Sequence, residues 1–364
     1  MNSLILYILV FACSSCCISF SESNNLDKKA QILLLGAGIV LPALIAGSRS
    51  PSVGTDTANY LYEINRIGSQ SLDEVLGVAY SNYEIGFRLI CKSLMVFGNA
   101  SFVLGALNAL TLLFAYFGIR EFCRHNMSSG LAYFTLLCLY WGDSLNITRQ
   151  ALAAAICFFA LKFLLNGKRP AFVFIVAIAA SIHLSSAAFL LTAVLWNREK
   201  PTSLLRRLTL VFAALLIASA LLLSGYTAES EVLKGFFSKY AYLFDYVPGG
   251  NRGVILAIII TFAMSLTWAG FRSEESAKIR LVIALFGIGT AFQLLGLNNK
   301  FFKRLALCYS LPSVTWFANL KAIANSEESL LVVMLVLTYD LAYFVITAFV
   351  IGNGEIFPYV PLWG

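Results

Sequence analysis

Leu330 to Ile351 reads LLVVMLVLTYDLAYFVITAFVI, an apolar run in which Asp340 is the one charged residue. The hydrocarbon core of a bilayer is crossed by about 20 apolar residues of helix, and backbone placed there must satisfy its own hydrogen bonds, which a lone segment does only as a helix. Working outward, comparable runs lie near 3–20, 31–47, 101–120, 129–142, 149–166, 170–182, 184–196, 207–224, 253–270, 280–297 and 305–323. The chain is 59% hydrophobic and 12% charged, about half the charged share of a soluble domain, which excludes a soluble globular enzyme. The expected fold is all-α: a polytopic transmembrane helical bundle of about 11–13 spans, some short or re-entrant. Residues 1–364 form a single integral membrane domain, with an outer loop over 48–100 carrying interfacial helices and a second outer loop over 225–252. The segment 84–97 is short, carries Glu84, Arg88 and Lys92, and reads as interfacial. The first run has no basic residue before it and no small-residue cleavage site, so it reads as a retained helix.

Basic residues near helix ends set orientation, because short basic loops stay cytoplasmic. One alternation places Lys28 and Lys29, Arg120 and Arg124, Lys168 and Arg169, Arg198 to Arg207, Arg272 to Arg280 and Lys321 inside. The loops 48–100 and 225–252 and the C-terminal tail then lie outside. The outer face keeps Arg49, Arg88, Arg149, Lys300, Lys303 and Arg304, many cations for that side and a set suited to an anionic headgroup. The run 170–196 is basic at both ends, at Lys168-Arg169 and Arg198-Glu199-Lys200. Two half-length segments meeting near Ser181-Ile182-His183 keep both ends inside and put His183 at the outer tip; a single long tilted helix is the alternative.

Several residues suit chemistry. In Val53-Gly54-Thr55-Asp56, Thr55 or Asp56 is placed to cap a helix, with Tyr60 and Glu63 following on the same face. A carboxylate in a membrane-flanked loop also suits a general base, so Asp56 carries both readings. Glu84 and Arg88 stand four apart, either an ordinary helical ion pair or a phosphate-binding edge. Arg149 opens the helix 149–166, where its charge and the helix N-terminus both favour an anion; a snorkelling arginine is the plain reading. His183 is a packed imidazole or a proton carrier. Arg304 stands at the mouth of a span, and Asp340 within one is either functional or hydrogen-bonded inside the bundle.

Other patterns carry little. Asn99-Ala100-Ser101 and Asn146-Ile147-Thr148 match the glycosylation sequon at a frequency expected by chance, and the eight cysteines fall almost entirely in apolar stretches, as small hydrophobes do. Neither a Cys/His metal site nor a nucleotide-binding glycine loop is visible, although Asp56 with Glu84 would make a two-ligand Mg²⁺ site. No cofactor, resident metal or nucleic acid is expected.

Taken in order, Arg49, Val53-Gly54-Thr55-Asp56 with Tyr60, Glu84-Ile85-Gly86-Phe87, Ile147-Thr148-Arg149-Gln150-Ala151-Leu152-Ala153 and Ala179-Ala180-Ser181-Ile182-His183-Leu184-Ser185-Ser186 resemble the EpsG family of polysaccharide-assembly membrane proteins, grouped with the Wzy-type O-antigen and capsule polymerases. The resemblance runs over about residues 30–200, and Arg304 with the tail Pro358-Tyr359 is similar too. It implies polymerisation of undecaprenyl-pyrophosphate-linked oligosaccharide repeats on the periplasmic face of the bacterial inner membrane. Partners would be that lipid-linked oligosaccharide, the bilayer and a chain-length regulator protein. In such a reaction Arg49, Arg88, Arg149 and Arg304 would neutralise pyrophosphate, Tyr60 would line the glycan site, and Asp56, His183 or Glu84 would take the acceptor proton. Rival readings are a flippase, which would be expected to show paired internal repeats, and an outer-face ligase or acyltransferase.

Overall fold

Every long apolar run described by the computed structural model is helical, as backbone without access to water requires. The structure describes residues 2–77, 83–123, 126–196, 252–267, 274–296, 300–320 and 329–362; the run 207–224 and all but the last residue of the loop 225–252 lie outside them. The elements are α1 (Asn2–Ser21), α2 (Lys28–Gly47), α3 (Thr57–Ser69), α4 (Leu72–Leu76), α5 (Ile85–Leu94), α6 (Ala100–Phe122), α7 (Asn126–Leu136), α8 (Gly142–Asn146), α9 (Thr148–Leu165), α10 (Arg169–Ile182), α11 (Thr192–Leu195), α12 (Arg252–Leu266), α13 (Glu274–Leu295), α14 (Lys300–Ser310), α15 (Val314–Asn319) and α16 (Ser329–Phe344). Among the described residues six helices are long and apolar enough to cross a membrane: Ser3–Ser21, Lys28–Gly47, Ala100–Phe122, Thr148–Leu165, Ala277–Leu295 and Ser329–Val350. The protein is an all-α multi-pass membrane protein.

At the centre stands α9, whose run Ala151 to Ala155 is fully enclosed. Small residues let helix backbones approach where lipid supplies no hydrophobic drive. Gly47 of α2 and Gly105 of α6 show this: a Cβ on Gly47 would stand 3.0 Å from the Gly105 Cα.

Polar contacts sort the helix ends into two groups. At one end Arg120 pairs with Glu22 at 3.3 Å, Lys278 with Glu121 at 2.6 Å, and Asn319 donates to the Phe122 carbonyl at 3.3 Å. This basic end gathers residues assigned above to one side. Arg169 donates to the Trp196 carbonyl at 3.2 Å, so the two ends of the run 170–196 meet and the run is a hairpin. Its turn is His183, extended at φ −150° and ψ 113°, followed by a 3₁₀ segment Leu184–Leu191.

Two runs depart from expectation. The run 129–142 is longer, from α7 through a π-helical turn Leu137–Trp141 into α8; such insertions alter which face the following side chains present, here beginning with Asp143. The run 305–323 starts at Lys300 and breaks over Leu311–Ser313, because Pro312 lacks the N–H that would continue the ladder. Arg304 therefore lies inside a helix rather than before it. Within α16, Asp340 is fully buried and accepts a 2.7 Å hydrogen bond from Thr135.

Candidate functional site

The opposite end of the bundle collects the motifs. Gly54 has φ +93°, open to glycine at little cost, and a Cβ there would meet Asn146 Oδ1 at 2.7 Å. A Cβ on Gly86 would collide with Ser181 Oγ and stand 2.8 Å from the Ser181 carbonyl oxygen. The glycine of each of two motifs is thus the point where another motif presses in.

Residues 352–362 cross back over this end. Ser50 N–H donates to Val360 at 2.7 Å, Leu362 N–H to Ser48 at 2.8 Å and Gly54 N–H to Glu355 at 2.8 Å, while Asn146 Nδ2 donates to Gly354 at 2.9 Å. Under this strap Arg49 is 2% exposed. Its Nε donates to Thr57 Oγ1 at 3.0 Å, Nη2 to the Leu145 carbonyl at 2.9 Å, and Nη1 to the Ala46 carbonyl. Burial pulls its guanidinium down to about 10, against the opposing pull of the Tyr7, Tyr359 and Tyr60 hydroxyls. The fork is spent on the chain's own oxygens.

Beside it lies a closed cluster. Glu84 Oε2 accepts from Arg149 Nη1 at 2.6 Å and Oε1 from the Leu184 N–H at 3.2 Å. The anion recruited by the Arg149 guanidinium is therefore this protein's own carboxylate, and Glu84 also caps the first turn after His183. The Arg149 guanidinium lies 4.0 Å from the Tyr83 ring centre and 5.7 Å from that of Phe87, a cation–π setting. Tyr60 stacks on Tyr83 at 6.5 Å. Burial disfavours the Glu84 charge, but Arg149, and His183 after it, hold its carboxyl below the usual range. His183 is buried, with Nδ1 facing the Ser185 N–H at 3.4 Å and hydroxyl at 3.3 Å.

The third feature is open. A cavity of about 460 Å³ is lined on its polar side by Asp143, Gln150, Gln293, Lys303 and Arg304. Its other wall is apolar, with Leu256, Ala257 and Ile260 of α12, a helix whose Ile258, Ile259 and Phe262 face outward. Gln150 Nε2 donates to the Arg304 carbonyl at 2.6 Å, tying α9 to α14 beneath it. Tyr140 and Tyr343 also line it.

Of the eight residues singled out in the sequence, the structure brings Glu84, Arg149, His183 and Tyr60 together and sets Arg304 on the cavity. Arg49 is the clamp just described. Arg88 is buried and donates to the carbonyls of Val75 and, at 2.9 Å, Gly77, closing the C-terminus of α4. Glu84 pairs with Arg149 and not with Arg88, because α5 turns Arg88 toward α4. Asp56 starts α3 without a side-chain capping bond and is exposed; Thr57, accepting from Arg49 and donating to Val53 at 2.6 Å, does the local tying. Both Glu84 oxygens are occupied, so an Asp56–Glu84 cation pair would have to displace Arg149 or the Leu184 N–H. Among the described residues no group of three or more His, Cys, Asp or Glu is placed to hold a metal.

Sequence reasoning passed over Asp143, Gln150 as a cavity residue, and Gln293. The available signal for Asp143 was a carboxylate directly following an apolar run, a weaker signal than the carboxylate within a run that marked Asp340.

The model of the EpsG family matches residues 32–360, nearly the whole chain. No curated protein and no solved structure matches it.

Proposed function

The chain belongs to the EpsG family, and from that premise we propose that it polymerises undecaprenyl-pyrophosphate-linked oligosaccharide repeats at the periplasmic face of the bacterial inner membrane. The observation that carries this reading is the two-sided cavity. A lipid-linked donor has an anionic pyrophosphate and sugars at one end and a hydrocarbon chain at the other. Lys303, Arg304 and the two glutamines offer charge and hydrogen bonds to the first, while α12 offers an apolar wall to the second.

Glycosyl transfer breaks the bond between the donor's anomeric carbon and its pyrophosphate, and guanidinium stabilises the charge that develops on the leaving oxygen. Arg304 is the arginine we assign to that task, with Lys303 beside it. Arg149 supports it indirectly, since its ion pair with Glu84 fixes the start of α9 to the start of α5 while the neighbouring Gln150 ties the same turn to α14. His183 holds the hairpin tip next to Glu84, Tyr60 backs the Arg149 guanidinium, and Arg49 and Arg88 anchor the loops around them. A ligase or acyltransferase would use similar headgroup chemistry, and a flippase the same amphipathic ligand.

Deletion of the gene separates these. Loss of a polymerase leaves single-repeat glycan on its lipid carrier or core, loss of a ligase leaves none transferred, and loss of a flippase leaves the repeat on the inner leaflet. Single-repeat glycan is the expected result; its absence overturns the proposal. Phosphatase fusions at Ser69 and Gly249 test the face, and cytoplasmic reporter activity at both positions reverses it.

A further inference from the structure

Among the described residues Asp143 is the one acidic residue lining the cavity, and it shares that lining with Lys303 and Arg304. Its Oδ1 accepts from Asn353 Nδ2 at 3.2 Å, and among the described residues no other hydrogen bond to the carboxylate is found. One oxygen is thereby oriented and the other left for a ligand. The alternatives are less well disposed: both Glu84 oxygens are committed, Asp56 is exposed and is not part of the cavity lining, and His183 Nδ1 is turned to Ser185. The π-helical turn Leu137–Trp141 ends two residues before Asp143, and such turns re-aim side chains at sites of chemistry.

We propose that Asp143 is a catalytic residue, the base that accepts the proton of the acceptor hydroxyl during glycosyl transfer. This rests on the polymerase reading above. The acceptor oxygen bonds to the anomeric carbon of the donor, and its proton passes to an Asp143 carboxylate oxygen. The bond from that carbon to the pyrophosphate breaks, and the pyrophosphate leaves with the electron pair toward Lys303 and Arg304. Asn353 is a positioning residue: it fixes the carboxylate but does not touch substrate.

The test uses the full-length protein in membranes or reconstituted vesicles, supplied with lipid-linked repeat units, with polymer resolved by gel. General-base removal costs about a hundred-fold or more in rate. D143N should therefore lose at least about that factor in kcat while KM for the repeat unit changes less than about three-fold, and membrane abundance stays at the wild-type level. D143E, which keeps a carboxylate on a longer arm, should recover part of the rate. N353A should lower the rate less than D143N. If D143N does not accumulate, D143S is read in its place against the same expectations. A carboxamide or serine variant that keeps more than a tenth of wild-type rate, or a D143E variant no better than D143N, overturns the proton assignment. A deletion strain that makes normal polymer overturns the polymerase reading and this assignment with it, so the two failures look different.

Discussion

The Glu84–Arg149–His183 cluster and the Asp143–Arg304 cavity sit at the same end of the molecule and are built oppositely. In the first, the charges are satisfied by the chain itself: carboxylate to guanidinium, carboxylate to backbone N–H, guanidinium over an aromatic ring. In the second, charges of both signs line an open volume. The difference teaches that ordered motifs in a membrane chain mark where helices must lock together, whereas the groups left for a ligand come from residues with little local pattern, contributed by both halves of the chain.

The largest test of that contrast is steric. Gly86→Val drives side-chain carbon into the Ser181 backbone, and overpacking of this kind costs about 1–3 kcal/mol or more. Membrane abundance should fall several-fold with activity falling in proportion. Wild-type abundance would show that the cluster is not the lock described here.

Arginine-to-lysine changes come next, because they keep charge and lose the planar fork. Arg149→Lys should lower both polymer yield and thermal stability, by about 1–3 kcal/mol, since it strips a partly buried carboxylate of its best partner. Arg304→Lys should lower polymer yield as strongly with the melting temperature unchanged. Equal stability losses would erase the distinction between lock and cavity, and full polymer in both variants would remove the arginines from function.

A smaller effect follows from pH. A carboxyl held below its usual value stabilises the fold above the unfolded pKa, about 4.3 for glutamate, and that contribution is lost as pH falls through the folded value. Acidification from about pH 7 to about pH 4 should destabilise the wild type more than Glu84→Gln. Parallel melting curves would mean that the ion pair contributes nothing to stability. Smallest of all is Asp56→Asn, expected to leave fold and polymer nearly intact, since its side chain makes no capping bond; loss of polymer there would return the proton-accepting role to Asp56.

Much of the architecture was legible because membrane helices declare themselves by length and hydropathy. The hairpin 170–196 was readable from its two basic ends alone, and the closeness of Arg169 to Trp196 agrees. Glu84, Arg149 and His183 were each visible as polar residues at apolar boundaries, but not as partners: Glu84 is separated from Arg149 by the four helices α5 to α8 in sequence order, and Arg88, four residues away, was the nearer match. Asp143 was hidden for a different reason. It follows an apolar run, and only the π-helical turn before it and the amide of Asn353 give it an aim. No local pattern announces either, since Asn353 lies 210 positions away.

That separation has a consequence for how the protein is made. Residues 352–362 are synthesised after every other described element, yet they supply the amide on Asp143 and the carbonyls held by Ser50, Gly54 and Asn146. A nascent chain can insert its described crossings and still present an unfinished end until this segment folds back. On the reading proposed above, a product cut short before Asn353 would keep Lys303 and Arg304 but lack the amide that orients Asp143.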